Sequence, residues 1–179
     1  MINVSEWSHG FFLEQDFRTK TLVDMTAGTG RDTLFLASIS ARVIAFDIQS
    51  EAIEITQKLL EENKIDNVEL IHDDHQNLGR YITSKIAGAI YNLGYLPGGE
   101  KTIRTGPGST ISSLRTLLGL LEPGGIVVMV VYQKHDQTES MRLLHFCEEL
   151  PGRIYDVTRY SVLNKELAPY IIKIQKQDK

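Results

Sequence analysis

The chain has 179 residues, with 19 cationic and 23 anionic side chains and a formal net charge of −4, so any RNA contact would need a local basic patch. A chain of this length buries roughly 70% of its unfolded surface as one domain, without a disulfide or metal for stability. Its single cysteine excludes an internal disulfide, and no signal peptide or membrane-length apolar span is found, so we expect one soluble, cytoplasmic domain over residues 1–179.

Short β-branched runs alternate with amphipathic segments of helical length, which indicates βαβ units and a mostly parallel sheet. An N-terminal helix with Trp7, Phe11 and Phe12 is expected to cover the sheet or line a substrate pocket, with His9 as a weaker substrate contact. The predicted strands are residues 21–26, 41–48, 68–73, 86–93, 124–132, 153–162 and 170–176. The last two are joined too closely for a helical crossover, so we expect a seven-stranded α/β sheet with an antiparallel C-terminal hairpin.

Two segments between these strands are predicted as packing helices. Residues 50–63 have Ser50 as a candidate N-cap and place apolar residues, including Ile55, near one face. Residues 109–125 have Ser109 as cap and a Pro-Gly-Gly stop. Cys147 lies in a later amphipathic segment and is predicted to be a core residue.

The stretch "LVDMTAGTGRDTLFLA", residues 22–37, indicates a cofactor site. A strand ends in Asp24, a turn with Gly28 and Gly30 follows, and a helix begins near Arg31. Glycines permit positive φ and close ligand approach, and a helix N-terminus offers N–H groups to an anion. The next strand ends in Asp47, 17 residues beyond Gly30, where a carboxylate accepts hydrogen bonds from ribose hydroxyls.

The ligand follows from what this loop contains. A dinucleotide fingerprint would place a third glycine near Thr33, and Asp24 would repel a pyrophosphate. An acid beside a helix N-terminus suits a ligand with both an amino group and a carboxylate. S-adenosyl-L-methionine (SAM) has both groups.

The segment "HDDHQNL", residues 72–78, follows the third strand. Asp73 or Asp74 lies where it would accept from the exocyclic amine of an adenine, or it caps the short helix that follows. A metal site formed with His72 and His75 is disfavoured, because consecutive residues at a strand end point in alternating directions.

The fourth strand ends in "AIYNLGYLPGGEKTIRT", residues 89–105. If the winding of the sheet reverses between strands one and four, this end faces the glycine loop, where doubly wound sheets bind ligands. Asn92 and the carbonyls of residues after it, including Gly94, would accept the N–H groups of an amine and leave its lone pair for methylation. Tyr95 offers a flat surface for stacking a base.

Two cations and one histidine are further candidates for substrate contacts. Lys101 and Arg104 either bind phosphates or are only solvated. His135, after the fifth strand, is either a substrate contact or a solvent-facing histidine.

These motifs together resemble a bacterial family of class I methyltransferases once labelled rRNA methylases and now understood as tRNA wobble-uridine enzymes. Its members methylate the amine of 5-aminomethyl-2-thiouridine to give 5-methylaminomethyl-2-thiouridine. The resemblance implies a Rossmann-like fold, SAM as donor, a tRNA anticodon stem-loop as partner and a homodimer. It implies that Asn92, Gly94 and Tyr95 surround the target amine. The implied donor-binding residues are Asp24, Thr26, Gly28, Thr29, Gly30, Asp47, Ile48, Asp73, Asp74, His75 and Asn92. The implied substrate-binding residues are Tyr95, Lys101, Arg104 and His135.

Two positions depart from the family pattern "DATMGNGHDT". Arg31 and Thr29 replace a histidine and an asparagine while the loop glycines remain, and Asp74 stands where the family commonly has a small residue. Two alternatives stay open. One is a SAM-dependent methyltransferase that acts on rRNA or on a small molecule, and the negative net charge mildly favours the small molecule. The other is a noncatalytic nucleotide-binding module.

Overall fold

A seven-stranded sheet forms the centre of the molecule in a computed structural model that describes residues 3–94, 107–133 and 137–178. The strands are β1 Thr21–Asp24, β2 Arg42–Asp47, β3 Val68–His72, β4 Ile86–Leu93, β5 Leu121–Val131, β6 Tyr155–Tyr160 and β7 Tyr170–Lys176. Their order across the sheet is β3-β2-β1-β4-β5-β7-β6. Strands β1 to β5 pair in parallel, and β7 runs antiparallel to both β5 and β6. The predicted α/β sheet with a terminal antiparallel hairpin is confirmed.

Helices connect the strands. They are α1 Val4–Phe12, α2 Arg31–Ile39, α3 Ser50–Glu62, a 3₁₀ helix His75–Arg80, α4 Pro107–Leu120 and α5 Gln137–Glu148. Among the described residues, no helix is long and apolar enough to span a membrane.

Both predicted N-caps are wrong. Gln49 precedes α3, so Ser50 is its first helical residue, and the Gln49 N–H is taken by the Asp47 carboxylate. Ser109 lies inside α4, because that helix already begins at Pro107, a residue whose missing N–H is no loss in a first turn.

Apolar side chains fill both faces of the sheet. Along β5, Val127 and Met129 belong to one cluster and Val128 and Val130 to the other, as alternation along a strand requires. Cys147 lies in the first cluster, where burial raises the pKa of its thiol to about 12. Its prediction as a core residue is confirmed.

The N-terminal helix covers one face, as predicted. Phe12 of α1 is fully buried in the second cluster, and a Cβ on Gly88 of β4 would stand 3.3 Å from its ring. The predicted apolar face of α3 is wrong at Ile55, which is 38% exposed. Leu60, also predicted on that face, is buried, together with Ala52 and Thr56, which lie at four-residue spacing from it.

The winding of the sheet reverses between β1 and β4, which lie side by side with Asp24 opposite Ile90. Parallel strands end at the same edge, so the loops that follow β1 and β4 share one crevice. This is the position where doubly wound folds bind ligands.

Candidate active site

The loop after β1 is fixed to the strands on both sides of it. The Met25 N–H donates to the Ile90 carbonyl at 2.9 Å, and the Ala27 N–H donates to the Phe46 carbonyl at 2.8 Å. Gly28 and Gly30 adopt positive φ angles of 54° and 79°, which glycine reaches without the strain of a side chain. The loop is therefore held rigidly at the winding reversal.

Gly28 and Asp47 are brought together, as a site for a nucleoside would need. The Gly28 N–H donates to Asp47 Oδ2 at 2.8 Å, and the Gln49 N–H donates to Oδ1 at 2.9 Å. Asp47 is half-buried, and each carboxylate oxygen has capacity for a further donor such as a ribose hydroxyl. Within the described part of the chain, a Cβ on Gly28 would meet only the Thr26 carbonyl, at 3.7 Å. A ligand can therefore approach the backbone here.

Gly30 has another task than ligand approach. A Cβ on it would stand 3.0 Å from Thr56 Oγ1 and 3.1 Å from both Thr56 Cα and Leu59 Cδ2. Its missing side chain therefore lets the loop pack against α3. Gly30 is the N-cap of α2, and no side chain of the described residues forms a capping hydrogen bond there. The free N–H groups at the N-terminus of that helix therefore suit an anionic group.

Asp24 lies beneath the loop and not on its surface. Its side chain is fully buried, with Oδ1 accepting from the Thr26 N–H at 3.0 Å and Oδ2 from Thr33 Oγ1 at 2.6 Å. Burial raises the pKa of Asp24 to about 7, and the nearby Asp32 charge adds to the effect. Asp24 thus ties the loop to α2, and its contact with the donor's amino group stays a prediction.

The two acids after β3 both hold the 3₁₀ helix. Asp74 is its N-cap and accepts from the Gln76 N–H at 2.9 Å. Asp73 accepts from Asn77 Nδ2 at 2.9 Å and from the Tyr81 hydroxyl at 2.8 Å, and these bonds, Asn77 first, lower its pKa. The capping interpretation is confirmed for Asp74, while an adenine contact of either acid stays a prediction. The described residues contain no cluster of three metal-ligating side chains.

His75 lies in the core below these acids. It is 2% exposed, and its ring meets the Tyr91 ring edge-on at 5.7 Å. Neither ring nitrogen has a hydrogen-bond partner among the described residues, and burial lowers its pKa to about 4. The predicted donor contact of His75 stays a prediction, as do those of the half-buried Thr29 and Ile48.

The end of β4 meets the glycine loop, as the sequence predicted. The Asn92 N–H donates to Thr26 Oγ1 at 2.8 Å, and the Asn92 carbonyl accepts from the Gly94 N–H at 2.8 Å. A Cβ on Gly94 would stand 3.3 Å from the Tyr132 ring. The amide and carbonyl oxygens of Asn92 therefore lie beside the glycine loop, where they could accept hydrogen bonds from the N–H groups of an amine. The predicted site residues Tyr95, Lys101, Arg104 and His135 lie outside the described residues.

Sequence reasoning gave no site role to Asp32, which links two parts of this region. Its carboxylate, on a residue 7% exposed, contacts Asn92 Nδ2 at 3.0 Å and His9 Nε2 at 2.7 Å. Tyr132 is a further neighbour: burial raises the pKa of its hydroxyl and the Asp32 charge adds to the rise, while an interaction with Ser5 of α1 opposes it. The only signal in the sequence was Asp32 itself, a charged residue near the position of the third glycine in a dinucleotide fingerprint.

The strand order, the glycine loop at the winding reversal and the carboxylate that ends β2 define a SAM-dependent class I methyltransferase. Gly28, Asp47 and the N-terminus of α2 fit the close approach, the ribose acceptor and the anion site that this donor needs, and their contacts with the donor stay predictions. Residues 43–176 match the family described as "Putative rRNA methylase". The chain belongs to this family.

Similar structures and a curated relative agree with this assignment. A protein of the same description from Clostridium thermocellum is 36% identical, with a TM-score of 0.93 over 98% of both chains. A Streptococcus mutans "putative methyltransferase", solved with S-adenosylhomocysteine, is also 36% identical, with a TM-score of 0.92 over 98% of this chain and 99% of that one. The chloroplastic tRNA (mnm(5)s(2)U34)-methyltransferase of Arabidopsis thaliana is 32% identical over 88% of this chain, which spans 64% of that relative's length.

Proposed function

We propose that the protein methylates the amine of 5-aminomethyl-2-thiouridine at the wobble position of tRNA, giving 5-methylaminomethyl-2-thiouridine. The observation that carries the proposal is the position of Asn92, whose backbone N–H donates to Thr26 Oγ1 of the glycine loop and so holds the residue beside that loop. The name of the Arabidopsis relative supports the choice of nucleoside.

The chain's own residues act mainly by positioning. When bound, SAM supplies an electrophilic methyl group on a sulfonium. Asp47 and the N-terminus of α2 hold and orient the donor, while the Asn92 oxygen accepts an N–H of the amine and directs its lone pair inward. Holding two reactants in line in this way accounts for a large share of such a rate enhancement.

The acceptor must be neutral when it reacts. An ordinary alkyl amine with a pKa near 10 is protonated at pH 7, and removing that proton requires about 4 kcal/mol at ~1.36 kcal/mol per pH unit. A site that encloses the amine against the half-buried end of β4 lowers this requirement, because burial disfavours the charged form.

The remaining parts of the proposal concern the RNA. Tyr95 stacks on the base, Lys101 and Arg104 bind phosphates of the anticodon stem-loop, and His135 contacts the substrate. The protein acts as a homodimer in the cytoplasm, which analytical ultracentrifugation and cell fractionation would test.

The function is tested with tRNA from cells that lack this modification. Purified protein, SAM and that tRNA are incubated, and the nucleosides are analysed by mass spectrometry. We expect 5-methylaminomethyl-2-thiouridine from the wild type, at least 100-fold less from Asn92→Ala because positioning is lost, and wild-type yield from Asn63→Ala, at the end of α3. The substrate assignment is wrong if rRNA or other tRNA positions gain methyl groups while the wobble uridine gains none.

A small-molecule methyltransferase is the second candidate, favoured by the net charge of −4. The two functions differ in how the protein responds to salt. Binding of an anticodon stem-loop that weakens steadily as salt rises supports the tRNA enzyme, because phosphate contacts release counterions. No measurable binding at low salt supports the small-molecule enzyme.

A further inference from the structure

Three side chains from three separate elements form one continuous chain of contacts at the proposed acceptor site. His9 comes from α1, Asp32 from the first turn of α2 and Asn92 from the end of β4. Asp32 is the central member, with its Oδ1 2.7 Å from His9 Nε2 and its Oδ2 3.0 Å from Asn92 Nδ2. Each carboxylate oxygen therefore serves one neighbour.

The chemistry of a carboxylate fixes the direction of both contacts. An ionised carboxylate only accepts hydrogen bonds, so Asn92 must present its N–H₂ group to Asp32, and His9 must present an Nε2–H. The other polar atom of the Asn92 amide, Oδ1, then points away from Asp32. It lies towards Gly94, where a Cβ would stand 3.9 Å from it.

His9 is itself held in place. Its ring stacks on the Phe35 ring with the centroids 3.9 Å apart and the planes 3° from parallel. Its side chain is only 20% exposed, and that of Asp32 is 9% exposed. The N-terminal helix thereby reaches the amide of Asn92 through a rigid and largely buried pair.

We propose that Asp32 and His9 are positioning residues for methyl acceptance: Asp32 holds the Asn92 amide with Oδ1 directed at the acceptor amine, and His9 holds Asp32. The inference rests on the proposed role of Asn92 and extends it to the N-terminal helix. A freely rotating Asn92 amide would present its N–H₂ group to the amine for part of the time, and that group would repel the amine N–H groups.

Kinetics of paired variants test this role. We expect Asp32→Ala to lower kcat about 100-fold and His9→Ala about tenfold, with the dissociation constant of SAM within twofold of wild type, since misplacement of a reacting group costs rate and not donor affinity. His9→Gln, which keeps an N–H donor, should restore most of the lost kcat. The control His145→Ala changes an exposed histidine of α5 and should leave kcat unchanged.

A double-mutant cycle separates positioning from a general structural effect. If His9 acts through Asn92, His9→Ala should lower kcat less than twofold in an Asn92→Ala background. A full tenfold loss in that background, or wild-type kcat for both Asp32→Ala and His9→Ala, overturns the proposal. Urea unfolding of each variant identifies any loss that arises from misfolding.

A spectroscopic measurement decides the matter even if the wobble-uridine assignment fails. In protein labelled with ¹⁵N-asparagine, the side-chain N–H₂ signal of Asn92 is identified by its absence in Asn92→Ala. We expect slow solvent exchange for this group in wild type, fast exchange in Asp32→Ala and an altered shift in His9→Ala. A signal that neither substitution changes refutes the positioning role. If both substitutions change the Asn92 signal but the protein does not methylate the wobble uridine, only the substrate assignment is refuted.

Discussion

Gly30→Ala tests the assignment of this glycine to packing against α3. The added Cβ would lie 3.0 Å from Thr56 Oγ1 and 3.1 Å from Thr56 Cα, and the residue would keep a φ of 79°. A left-handed conformation costs an L-residue about 1–2 kcal/mol, and overpacking costs about 1–3 kcal/mol. Reduced freedom of the unfolded chain returns about 0.4–1 kcal/mol. We therefore expect a loss of about 2–4 kcal/mol in the free energy of unfolding.

The measurement is urea and thermal unfolding of Gly30→Ala beside Gly119→Ala. At this chain length the loss corresponds to a fall in Tm of about 4–16 °C. Gly119, in α4, is the matched control, because no atom of the described residues lies within 4 Å of a Cβ at that position. Gly119→Ala should be neutral or stabilising by up to about 1 kcal/mol. A Tm for Gly30→Ala within a degree of wild type would refute the packing assignment.

Three further predictions concern charged groups. Asp47→Ala should weaken SAM binding by about 1–3 kcal/mol through lost charge-assisted hydrogen bonds, and an unchanged calorimetric dissociation constant would remove Asp47 from the donor site. The pKa of Asp24 rises on folding from 3.8 to about 7, so its contribution to stability is present below pH 4 and lost as the pH rises through 7. In urea unfolding, the stability of wild type relative to Asp24→Asn should fall over this pH range, and parallel profiles would contradict the burial effect. The pKa of His75 falls from 6.5 to about 4, so its contribution to stability, opposite in sign to that of Asp24, is lost as the pH drops from 6.5 to 4. His75→Phe should weaken that acid sensitivity in the same assay, and equal sensitivity would show that another group is responsible.

The sheet could be predicted because its signals are local. Each strand is a β-branched run, and the short final connection permits only an antiparallel pair. The winding reversal between β1 and β4 then brought the glycine loop and Asn92 together, which their contact through Thr26 confirms. The helix caps were wrong because both helices begin earlier than the candidate caps imply: Ser50 is the first residue of α3 and Ser109 is the third residue of α4.

The rest of the site depends on contacts that no local pattern encodes. His9 and Asp32 are 23 residues apart, and Asp32 and Asn92 are 60 apart. Their meeting requires α1 to pack over the finished sheet. In the same way, the burial of Asp24 and the packing of Gly30 against α3 arise only from tertiary structure. The sequence motif does not show these contacts, and for that reason it predicted ligand contacts for both residues.

The most direct test of the account uses a synthetic anticodon stem-loop with 5-aminomethyl-2-thiouridine at the wobble position and SAM with a deuterated methyl group. Tandem mass spectrometry of the product nucleoside locates the label. We predict one labelled methyl on the exocyclic amine for each S-adenosylhomocysteine formed, and no product from a stem-loop with unmodified uridine. Label on a base or ribose atom, or equal turnover of the unmodified stem-loop, would contradict the account.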